Sequence, residues 1–93
     1  MITFERAIEV VKTQANDDSL YFADWGYEND DYWEVLVGDK RWLVDNDQNY
    51  LAAGDSMFLV SKTTGVYELR SAIVDLDFMA SFKPYGNVPA FFQ

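Results

Sequence analysis

The chain has 93 residues, 49% of them hydrophobic, 17% aromatic and 25% charged, which is the size and make-up of one globular domain over residues 1–93. Sixteen acidic residues against seven basic ones give a net charge of −9, which disfavours nucleic acid and anionic membrane surfaces as ligands and favours a cationic partner or simply a solvated, soluble surface. Cysteine and histidine are both absent, so disulfides, thiolate or imidazole catalysis and Cys/His zinc sites are excluded.

The opening Met1-Ile2-Thr3-Phe4-Glu5-Arg6 lacks the basic start and apolar centre of a signal peptide, and the chain is expected to be cytoplasmic. Residues Thr3 to Ala15 read as a helix with Thr3 as N-cap. Phe4, Ala7, Ile8, Val11 and Ala15 form its apolar stripe, and Asn16-Asp17-Asp18-Ser19 stops it. Leu20 to Trp25 is a strand candidate, followed by an acidic turn over Gly26 to Asp31. Tyr32 to Val37 is the clearest strand, with Trp33, Val35 and Val37 on the core face. Gly38-Asp39 signals a hairpin turn, and Arg41 to Val44 is expected to return as a short strand with Trp42 and Val44 inward.

Asp45 to Asn49 is too polar for a core and reads as a loop. Ser56 to Ser61, apolar on both faces, suggests a central strand. Lys62-Thr63-Thr64-Gly65 is a turn, and Val66 to Arg70 completes a hairpin with Tyr67 and Leu69 opposite in face to Glu68 and Arg70. Asp75 can cap a short helix through Phe82, with Leu76, Met79 and Ala80 on one face. Pro84, Gly86 and Pro89 are expected to end regular structure. The expected fold is α+β: an N-terminal helix on a mostly antiparallel sheet of four to five strands, then a short C-terminal helix or irregular tail.

With thiols and imidazoles gone, paired carboxylates such as Asp24, Glu28, Glu34, Asp45 and Asp47 are the remaining catalytic option. Nothing in so short a chain predicts a deep cleft around them, and no enzyme activity is expected. Asp45-Asn46-Asp47-Gln48-Asn49 begins like an EF-hand loop. It carries Tyr50 where glycine is required and Ser56 where glutamate is required, so no metal site is expected. No phosphate-binding glycine loop is present, and no cofactor is expected.

The stretch from Asp24 to Trp33 interleaves acids and aromatics around a turn, the composition of a protein-binding edge. Aromatic side chains anchor such interfaces, and carboxylates steer and pair with cations. Glu28, Asp30 and Asp31 are the leading carboxylates, with Asp45 and Asp47 extending the acidic surface. Trp25, Tyr27 and Tyr50 are the aromatic candidates, although Trp25 and Tyr27 fit the core equally well.

Ile2-Thr3-Phe4 with its helix, the Trp33 strand, Gly54-Asp55-Ser56-Met57-Phe58-Leu59-Val60 and then Lys62-Thr63-Thr64-Gly65-Val66-Tyr67-Glu68 together resemble the immunity protein 35 (YrhB-like) family. Trp33 matches the family's early-strand tryptophan and Gly65 its hairpin glycine. The resemblance implies a bacterial antitoxin that binds a toxin domain directly and has no catalytic residues of its own. A basic toxin such as a nuclease suits the acidic chain. A small chaperone-like or scaffolding domain is the alternative, with Phe82, Phe91 and Phe92 as its apolar surface. An open sheet has edges, which also allows a homodimer.

Overall fold

The computed structural model describes residues 1–17, 19–45, 47, 56–71 and 76–89. Helix α1 (Phe4–Ala15) is followed by β1 (Tyr21–Glu28), β2 (Tyr32–Gly38), α2 (Lys40–Leu43), β3 (Ser56–Ser61), β4 (Tyr67–Ser71), α3 (Leu76–Ala80) and β5 (Lys83–Tyr85). The strands form one sheet in the order β4-β3-β2-β1-β5, with every neighbouring pair antiparallel. The α+β architecture expected from the sequence is therefore present, with a helix on a five-stranded sheet and short helices later in the chain.

Helix α1 begins where the Thr3 hydroxyl accepts the Arg6 amide, and ends where Asn16 turns into the left-handed region and its amide closes on the Lys12 carbonyl. Its Phe4, Ala7 and Val11 bury against Trp33, Val35 and Val60. Trp33 is 8% exposed, its indole N–H donates to the Ile2 carbonyl, and its ring meets Phe4 and Tyr85 edge-on. The opposite face of the sheet holds a second cluster built from Ala23, Trp25, Leu43 and Val88. The interior position of β3, between β4 and β2, follows from its sequence: Val60 faces α1, while Met57 and Leu59 are buried on the other side.

Four local expectations change. The first strand does not stop at Trp25. It runs through Gly26, Tyr27 and Glu28, with a register shift between Phe22 and Gly26. At Gly26 a Cβ would lie 2.3 Å from the Glu34 carbonyl and 2.9 Å from the Phe4 ring, so the strand can pass here only with glycine. Arg41 to Val44 is not a strand. Asp39 accepts the Arg41 amide and guanidinium and starts α2, which buries Leu43, leaves Trp42 half-buried and exposes Val44.

The third change concerns α3. It packs through Phe78, which meets Tyr32 and Phe82 edge-on, while Met79 and Ala80 face outward. The fourth is that Pro84 does not end regular structure. It sits in the edge strand β5, opposite Tyr27, where a missing N–H is tolerated. The expectations for Tyr50, Asp75, Phe91 and Phe92 lie outside the described residues.

Candidate functional site

The turn between β1 and β2 is built by Asn29. Its side-chain carbonyl accepts the amides of Asp31 and Tyr32, and its own amide donates to the Tyr32 carbonyl. This holds Asp30 and Asp31 exposed at the tip. The Asn29 side-chain amide also donates to the Ser81 hydroxyl at 3.1 Å, tying the turn to the residue that follows α3. Between them lies an open groove of about 550 Å³, lined by Asn29, Asp30, Asp31, Asp77, Phe78, Ser81 and Lys83. Among the described residues, none of the three aspartates enters an ion pair.

Glu28 is placed differently. Its carboxylate bonds the Lys62 ammonium at 2.8 Å, and that ammonium lies 4.4 Å from the Trp33 ring centre. Lys62 is 7% exposed, a buried cation held between an acid and an aromatic face. Glu28 thus balances a charge of its own chain. Trp25, 5% exposed, belongs to the second core cluster, and Tyr27 packs half-buried against it.

Asp45 and Asp47 follow α2, which starts at the far end of β2 from the Asn29 turn, and neither lines the groove. Asp45 is exposed. Asp47 is half-buried, and its amide donates to the Arg41 carbonyl. Of the sequence candidates, the structure gathers Asp30 and Asp31 and adds Asp77, Phe78 and Ser81. That grouping depends on a contact between residues 52 positions apart, for which local sequence carries no signal.

Glu34 stands on the sheet face opposite α1, in register with Tyr27 on one side and Leu59 on the other. Burial pushes its carboxyl up to about 7. Burial, followed by the nearby Glu34 charge, also raises the Tyr27 phenol. Asp39 goes the other way: hydrogen bonds from the Arg41 guanidinium and amide hold it down at about 2. Among the described residues no group of three or more Asp or Glu side chains is arranged to hold a metal ion, and no helix is long and apolar enough to cross a membrane. The chain matches no model of a known protein family, no curated protein and no solved structure.

Proposed function

We propose that this protein is a bacterial immunity protein that binds a toxin domain through a cationic surface and neutralises it by occlusion in the cytoplasm. The observation that carries the reading is the groove between the β1–β2 turn and α3, where Asp30, Asp31 and Asp77, none in an ion pair among the described residues, stand beside the half-buried Phe78. Lysine and arginine side chains are amphipathic, with an apolar stem and a charged head. The Phe78 ring already carries the Arg70 guanidinium of the same chain at 4.1 Å, so it is the three carboxylates that the groove offers to the charged heads of a partner.

A nuclease suits this best as the target, because its cleft must be cationic to hold phosphates and carboxylates can stand where the phosphates would. The net charge of −9 adds long-range attraction, which speeds encounter. The resemblance to the immunity protein 35 family supports the same reading, and the chain performs no catalysis in it.

Co-expression tests it. A growth-arresting toxin domain encoded beside this protein's gene should be neutralised when the chain is produced with it. Replacing Asp30 and Asp31 by lysine should weaken that protection. Growth arrest unaffected by the intact chain would contradict the proposal.

A further inference from the structure

The two edges of the sheet are unlike. Strand β5 is three residues long and carries Pro84, which has no N–H to donate. Strand β4 is a five-residue run, Tyr67-Glu68-Leu69-Arg70-Ser71, and its outer side is unpaired among the described residues. The hairpin fixes which of its backbone groups face outward. The Ser61 amide donates to the Val66 carbonyl, and Gly65, at φ +73°, forms the bulge that ends the turn. Hydrogen-bonded pairs alternate from there, so Glu68 and Arg70 point their backbone groups at β3. Tyr67, Leu69 and Ser71 point theirs outward.

The geometry points to a second copy of this chain as the occupant of that edge, with the two β4 strands antiparallel and Leu69 opposite Leu69. In this register outward-facing residues meet outward-facing residues. The two Leu69 residues exchange both backbone bonds, and so does each Tyr67 with the Ser71 of the other copy. Charge selects the register. With Leu69 on the two-fold axis, each Glu68 faces Arg70 across the junction, in the closely spaced type of pair. Moving the axis by one residue would set Glu68 against Glu68, or Arg70 against Arg70.

Within one chain Glu68 and Arg70 already pair at 2.6 Å, and the Arg70 guanidinium stacks 4.1 Å from the Phe78 ring centre, so both charges are held on that face before association. On the other face Leu69 is 56% exposed in the single chain, and pairing would cover it with its own counterpart. The product is one continuous ten-strand sheet, twice the five strands of each copy, with both α1 helices on the same face.

Sedimentation equilibrium at physiological salt tests this. The wild-type chain should form a reversible dimer. E68R and R70E should each weaken it by about tenfold or more, because both turn two attractive pairs into repulsive ones. An equimolar mixture of the two variants should associate again, since one presents two cations and the other two carboxylates. The doubly exchanged chain should dimerise as the wild type does. Thermal melts establish that each variant folds. If one does not, L69K replaces it and should also be monomeric. A wild-type chain that stays monomeric at every concentration would overturn the proposal, as would a dimer insensitive to both charge reversals.

Discussion

Lys62 is a cation in a place that usually excludes cations, and its stability rests on Glu28. Removing one partner of such a pair leaves the other charge buried and unbalanced. Glu28→Ala should therefore cost about 2–4 kcal/mol in urea unfolding, whereas Lys62→Met, which fills the same space without a charge, should cost much less. Equal losses for the two would show that packing rather than charge balance dominates there. Glu34 gives a pH signature. Its folded-state value of about 7 lies above the ordinary 4.5, so the folded chain binds more protons between those limits. Its contribution is complete below about pH 4.5 and is lost as pH rises through 7. Glu34→Gln should thus be more stable than wild type at pH 8, by up to about 3 kcal/mol, with the gap closing at pH 4. A gap of the same size at both pH values would contradict the burial of an uncharged Glu34.

At the scale of elements, the strong periodicities were legible and the short pieces were not. The α1 stripe of Phe4, Ala7 and Val11 and the alternation of Trp33, Val35 and Val37 each repeat often enough to declare a buried face. Helix α2 is four residues long, too short for a helical period to appear, and its one signal is the Asp39 cap. Strand β5 was hidden by Pro84, since proline is incompatible with a central strand but tolerated at an edge, and edge position is a property of the whole sheet. Gly26 was legible only as a turn residue. Its role is to let β1 pass between the Glu34 carbonyl and the Phe4 ring. Gly26→Ala must push either the neighbouring strand or the helix away and should cost about 2–3 kcal/mol, read as a lower melting temperature. An unchanged melting temperature would mean that the sheet and α1 are less closely opposed than the structure has them.

On the scale of the whole molecule, charge and aromatic content were legible, but their division of labour was not. Glu28, Asp30 and Asp31 look alike in sequence. Folding gives the first to Lys62 and leaves the other two at the tip of a turn. Trp25 and Tyr27 are drawn into the face that α2 covers, and Asp77 and Phe78 come from far along the chain to complete the groove. Partner recognition is proposed for that groove and self-association for the β4 edge. Charge reversal at Asp30 and Asp31 should leave self-association intact, whereas R70E also removes the guanidinium stacked on Phe78 of the groove.

The most direct test of the proposed partner recognition is the association rate between this protein and the toxin domain encoded beside its gene, measured against ionic strength for the wild type and for Asp30→Lys/Asp31→Lys. The wild-type rate should fall steeply with salt. The variant, with an unchanged melting temperature, should associate about tenfold or more slowly at low salt and depend less on salt. Identical rates for the two proteins at low ionic strength would remove the groove from the interface.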